Sequence, residues 1–170
     1  MTEPAVLARW ATLLLAGVVL QAGVFSQFRI LGVAPDIMVA LAVSAGLMCG
    51  TNRGAVVGFC AGMLIDLPRL EVRLGASALA YCLAALVAGF AQSVVLQSGR
   101  SVSVALVAAG SVAGVMMMGA IAELFGMSVF SDPLLIRTWI VVGACSAVFA
   151  RLTIRLAAWA EGPEHRSVAE

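Results

Sequence analysis

The sequence predicts an all-α, polytopic membrane protein with six transmembrane helices, the second and third short and glycine-rich. Three observations lead there. Of 170 residues, 62% are hydrophobic and 11% charged, whereas a soluble domain carries about a quarter charged residues. Mean hydropathy is +1.08, and a chain this apolar cannot cover itself with polar surface in water. Six apolar stretches follow one another with only short polar segments between them, and the length suits about six spans of roughly 20 residues.

The first stretch runs from about Trp10 to Phe28, between Arg9 and Arg29. It is too long for the apolar region of a signal peptide and further spans follow, so it reads as a retained helix. A short loop over Leu31–Asp36 ends in Pro35-Asp36, which looks like a helix start. The second stretch, Ile37 to Thr51, and the third, Gly54 to Leu67, are separated by Asn52-Arg53. At 1.5 Å per residue each reaches only about 21–23 Å, short of a hydrocarbon core of about 30 Å. Two readings stay open: short spans flanked by snorkelling arginines, or a re-entrant pair that turns inside the protein. A charged loop, Pro68–Leu74, holds Arg69, Glu71 and Arg73. The fourth span covers about Gly75 to Leu96, the fifth Val102 to Phe125, and the sixth begins near Leu134 and continues past Arg151 and Arg155. Residues 1–160 thus read as one six-helix transmembrane domain and 161–170 as a polar cytoplasmic tail.

Arginines near the span ends set the orientation. With the N-terminus inside, the inner side holds Arg9, Arg53, Arg100, Arg151, Arg155 and Arg166, and the outer side Arg29, Arg69, Arg73 and Arg137. The bias favours both termini in the cytoplasm.

Small residues recur every fourth position in the short stretches. Ala42, Gly46 and Gly50 share one face, and Gly54, Gly58 and Gly62 share another, with Asp66 at the next step. Such a ladder lets helix backbones approach closely where packing drives association. Gly46, Gly50, Gly54, Gly58 and Gly62 are therefore helix-packing candidates, with a groove for a partner helix as the functional variant. Ionisable residues at membrane depth are costly and usually functional. Asp36 can cap the second helix. Asp66 ends the third, where the helix dipole does not favour a carboxylate, so anchoring of the next loop or contact with a partner is the alternative to a solvated interface residue. Arg137 is the candidate counter-ion of Glu123.

Composition and motifs also exclude. Net charge is +1, which suggests no nucleic-acid partner. The one histidine, His165, lies in the tail, so no His-based triad or zinc site is expected in the spans. Cys49, Cys60, Cys82 and Cys145 lack metal-pair spacing and read as small buried helix residues. All basic residues are Arg, so no phosphate loop with its lysine exists. No enzyme activity, metal or cofactor is expected.

Pro35-Asp36, Arg53-Gly54, Gly58-Phe59, Gly62, Asp66, Leu74-Gly75 and Ala80-Tyr81 stand in a fixed order, with Gly58 to Asp66 reading G-F-x-x-G-x-x-x-D. This series, over about Pro35 to Phe90, resembles the rod shape-determining protein family MreD. The resemblance implies a six-helix, non-catalytic protein of the bacterial inner membrane. Such a protein acts with MreC, and through it with RodA, a penicillin-binding transpeptidase and MreB, to direct lateral peptidoglycan synthesis and rod cell shape. It nominates Pro35, Asp36, Arg53, Asp66, Gly75 and Tyr81 as partner-binding or motif positions. The charged loop after Asp66 departs from the family, which often carries smaller or more apolar residues there. The family's fold is similar to the substrate-binding subunits of energy-coupling-factor vitamin transporters, and such a subunit is the alternative function. That alternative is weakened because the first span has no pair of alanines four apart. Its candidates for solute capture are Gln21, Gln27, Gln92, Trp139 and Tyr81.

Overall fold

A computed structural model describes residues 4–25, 27, 35–67, 75–92, 100–124 and 135–162. Arg29, the loop with Arg69, Glu71 and Arg73, and the tail with His165 and Arg166 lie outside the described residues. The described chain is all-helical, with six α-helices: α1 Pro4–Leu20, α2 Ile37–Cys49, α3 Thr51–Asp66, α4 Ala76–Phe90, α5 Arg100–Leu124 and α6 Leu135–Glu161. A π-helical turn, Gln21–Phe25, continues α1.

Three helical segments, Pro4–Gly23, Val102–Leu124 and Ile136–Glu161, are long and apolar enough to cross a membrane. The protein is thus compatible with a membrane setting. The other three helices are short: α2, α3 and α4 have 13, 16 and 15 residues, or about 20, 24 and 22 Å. As described, α4 ends at Phe90, and residues 93–96 of the fourth span expected from the sequence lie outside the described residues.

Boundaries follow local chemistry. The turn between α2 and α3 is Gly50 alone, at φ +80°, a left-handed backbone that glycine adopts without steric cost. Asn52-Arg53, expected as the turn, instead belongs to the first turn of α3. Gly50 consequently leaves the α2 face expected for it. Its amide donates to the Gly46 carbonyl at 3.0 Å, and its own carbonyl accepts from Gly54 at 2.9 Å.

A helix that is apolar on every side belongs in the interior, and α2 is that helix. Eleven of its residues, Met38 through Met48, are buried, and it packs against all five other helices. Its neighbours alternate in direction. Gly46 approaches Ala85 of a parallel α4, Gly110 and Gly114 of an antiparallel α5 meet Val43 and Val39, and Ser44 meets Thr153 of a parallel α6. The outermost helix is α1, where only Trp10 and Leu14 are buried.

The packing of α4 is inverted relative to a water-soluble helix. Its small residues, among them Ala80, Ala84, Ala85 and Gly89, face inward. Apart from the buried Tyr81, several of its large ones face out: Leu79, Leu83, Val87 and Phe90, the last 71% exposed. Small residues between helices and large ones outside suit a lipid solvent, where close backbone approach rather than burial of bulk drives association.

Candidate functional site

The stripe Gly54, Val57, Gly58, Ala61, Gly62, Ile65 and Asp66 is the buried side of α3. Its spacing of three and four residues is that of one helix face. Gly54 lies against the backbone of Gly46 in α2; Gly58 and Gly62 lie against α4 at Tyr81 and Ala78. A Cβ at Gly58 would stand 2.5 Å from the Tyr81 carbonyl oxygen, and one at Gly89 2.5 Å from Thr51 Cα. The glycine groove is thus filled by the chain's own α4. It holds no space for a partner helix, which corrects the functional variant of the ladder.

At one end of this three-helix unit the polar residues converge. Asp36 caps α2: its Oδ1 accepts from the amides of Met38 at 3.0 Å and Val39 at 3.2 Å. Its Oδ2 accepts from the hydroxyl of Tyr81, a fully buried side chain of α4. Gln21, in the π-helical turn, completes the cap. Its Nε2 donates to the Pro35 carbonyl at 2.7 Å, and its Oε1 accepts from the Ile37 amide at 3.1 Å. Three amides at the start of α2, which have no partner inside the helix, are thereby satisfied by two side chains. Asp36 ties α2 to α4, and Gln21 ties it to α1.

Asp66 works at the same end and is 0% exposed. Its Oδ2 accepts from the amides of Gly75 at 2.9 Å and Ser77 at 3.2 Å. The carboxylate is therefore the cap of the next helix, α4, whose positive end favours it. Reading Asp66 only against its own helix C-terminus hides this role. Gly75, at φ +101°, makes the left-handed entry into α4 that this cap requires. The side chains of Asp66 and Tyr81 have no exposed surface, and Pro35 is buried. In this structure all three positions join helices to one another.

The opposite end has a second polar cluster. Glu161, grouped with the tail by composition, is the last residue of α6, and its side chain is 3% exposed. Its Oε2 accepts from Arg53 Nη1 at 2.6 Å and its Oε1 from Trp10 Nε1 at 3.1 Å. One carboxylate therefore clasps α1 and α3 to α6. Arg9 stacks on Trp159, 5.6 Å from the ring centre, a cation–π contact that adds to the hold on α1. Nearby, Gln92 Nε2 donates to the Met48 carbonyl at 3.1 Å and binds the end of α4 to that of α2. Glu161→Ala is expected to cost about 1–2 kcal/mol, because Arg53 is half exposed and its charge pair is screened while the bond from Trp10 is lost outright. Thermal unfolding in detergent measures it; an unchanged midpoint would show that the clasp contributes nothing.

Sequence reasoning missed the buried hydroxyl bond from Ser44 to Thr153 at 2.8 Å and the clasp at Glu161. Neither leaves a local signal, since each joins residues more than a hundred positions apart. Glu123 and Arg137 are both exposed, on adjacent helices. Cys60 is exposed, and Cys49, Cys82 and Cys145 are partly buried. Of the groups nominated for solute capture, Gln21, Gln92 and Tyr81 are engaged in these caps and ties, Gln27 is exposed, and Trp139 is partly exposed. A cavity of about 270 Å³ between α4 and α5 is lined entirely by apolar residues such as Leu47, Leu106 and Met117. Compared with protein-family models, curated proteins and solved structures, the chain matches none.

Proposed function

We propose that this chain is a six-span scaffold of the bacterial inner membrane, with both termini in the cytoplasm. In this reading it binds an MreC-like partner and so directs lateral peptidoglycan synthesis and rod shape, as the resemblance to MreD implies. RodA, a penicillin-binding transpeptidase and MreB would be reached indirectly.

The observation that carries the reading is the use made of the motif residues. Asp36 holds Tyr81, Asp66 holds Gly75, and Gly58 seats the Tyr81 backbone. The series that resembles the family thus supplies buried joints within α2, α3 and α4. Such joints fix how these three helices sit together, which is what a scaffold asks of its core. Short helices are also accommodated: α2 is surrounded by five helices, so its length is not matched against lipid. The side chains of Leu67, at the end of α3, and Leu79, in the first turn of α4, are exposed apolar groups available to the partner's membrane segment.

The vitamin-subunit alternative is less well supported. A solute pocket needs convergent polar groups, and Gln21, Gln92 and Tyr81 are committed to helix ends.

Affinity-tagged protein extracted in mild detergent is expected to bring down an MreC-like protein. Recovery of the tagged protein with no such partner would end the scaffold reading, and a tightly retained vitamin would replace it.

A further inference from the structure

The second half of α6 turns two arginines outward. Arg155 stands six residues and Arg151 ten residues before the helix end at Glu161, about 9 and 15 Å along the axis. Both are exposed. Arg151, Arg155 and Trp159 follow one another in steps of four, so they form one stripe on the helix surface. The other side of the same turns, with Thr153, Ile154, Ala157 and Ala160, is buried against the bundle. Arg9 adds a third guanidinium, 5.6 Å from the ring centre of Trp159.

Among the described residues no carboxylate answers this charge. Arg151 and Arg155 have neither an ion pair nor a hydrogen-bond partner there. Glu161 is the acid at this end, and its two oxygens are taken by Arg53 and Trp10 in a side chain 3% exposed. Asp36 and Asp66 belong to the opposite end of the bundle. Glu123 belongs there too, just beyond the contact of Met118 with Ser77.

The length of α6 fixes the depth of the stripe. Its 27 residues reach about 40 Å, about 10 Å more than a hydrocarbon core. An unpaired arginine at hydrocarbon depth is costly. Arg137 and Arg155, both exposed, are about 27 Å apart along the helix, close to the core thickness. Arg155 therefore stands at one hydrocarbon boundary, and Arg151, one turn inside, extends its stem back toward it. On the adjoining row Leu152, Val148 and Ile140 are exposed and carry the surface on into the apolar part of the helix. A ligand that fits has a negative group at the arginines and an apolar body continuous with it. An acidic water-soluble segment matches only the first half of that description. A guanidinium binds phosphate through two parallel N–H···O bonds, and two of them one helical turn apart can share one phosphate. We infer that Arg151 and Arg155 bind the phosphate of one anionic phospholipid, whose acyl chain lies along Val148 and Ile140. The inference rests on bilayer insertion, and on neither the scaffold role nor the orientation of the termini.

Trp159, 39% exposed at the end of the stripe, reports on the site. The chain has three tryptophans. Trp139→Phe removes the other partly exposed indole, and Trp10 is buried away from lipid. This protein is reconstituted into phosphatidylcholine vesicles containing phosphatidylglycerol, with bromine on the acyl chains of one lipid or the other. Brominated phosphatidylglycerol is expected to reach half-maximal quenching at roughly a thirtyfold lower mole fraction than brominated phosphatidylcholine, from roughly fivefold for each of two basic residues acting on an anionic lipid. Arg155→Gln should leave roughly a fivefold preference, and Arg151→Gln with Arg155→Gln should abolish it. Lysine at both positions should keep most of it. Arg137→Gln, at the far end of the same helix, should leave it unchanged. Equal quenching by the two lipids in the parent protein would overturn the inference. So would a preference that survives the double glutamine variant, or one that falls as far with Arg137→Gln. Trp159 shielded from both lipids in vesicle-bound protein would assign the stripe to an acidic protein segment instead. A protein that does not enter the vesicles at all would end the six-span reading and this inference together, whereas equal quenching ends only the lipid site.

Discussion

Gly58→Leu is expected to unfold the joint between α3 and α4. The first atom of any side chain here would stand 2.5 Å from the Tyr81 carbonyl oxygen and 3.0 Å from Ala85 Cβ. A helix carbonyl cannot swing aside as a side chain can, so α4 must move bodily. That motion draws the Tyr81 hydroxyl away from Asp36 and strains the cap on α2. Overpacking of a tight interface costs about 1–3 kcal/mol and sometimes more; with the linked loss of a buried bond, about 3 kcal/mol or more is expected here. Thermal unfolding in detergent should fall by about 6–12 °C for a chain of this size. Gly58→Ala should lose a smaller amount. Gly23→Ala is the control: a Cβ there meets nothing within 4 Å, and its effect should stay within about 0.5 kcal/mol. A Gly58→Leu protein that melts with the parent would show that close approach at this point does not hold the bundle.

Asp66→Ala is expected to be nearly as damaging, and Asp66→Asn much less so. Alanine leaves the Gly75 and Ser77 amides without their acceptor. Each unsatisfied buried donor costs about 1–3 kcal/mol, so a loss of about 2–4 kcal/mol follows. Asparagine keeps a carbonyl oxygen for both amides and loses the charge facing the positive end of α4, worth about 1 kcal/mol. The pair of substitutions separates two roles for this residue. If Asp66 caps α4, the asparagine protein is stable and still recovers the partner in the co-purification. If its charge meets a partner directly, asparagine folds as well as the parent but loses that partner. Urea or detergent titration together with the pull-down reads both, and equal stability of the alanine protein and the parent would sink the capping role.

Several elements were legible because they depend on neighbours in sequence. The apolar stretches, the helix start at Pro35-Asp36 and the small-residue face of α3 are set by composition, capping chemistry and a 3.6-residue period. Asp36 was legible as a cap for the same reason, since the amides it accepts from belong to the next two and three residues. Its second oxygen was not, because Tyr81 reaches it across 45 positions. The turn at Gly50 was misplaced by two residues: polar Asn52-Arg53 looked like the break, whereas the left-handed backbone that only glycine adopts freely decided it. Arg53 is half exposed and pairs with Glu161, and the helix does not stop there.

By itself the sequence determined an all-helical chain, its apolar character and which face of α3 is small. Those properties follow from residue type and local periodicity. The tertiary structure alone decided that α2 is the central helix, that α4 occupies the glycine groove, that Asp66 serves the helix after its own, and that Glu161 closes the bundle. Each of these depends on where a second helix lies. An apolar stretch is equally able to face lipid or another helix, and a carboxylate at a helix end is explained only by the donor that chain folding brings to it.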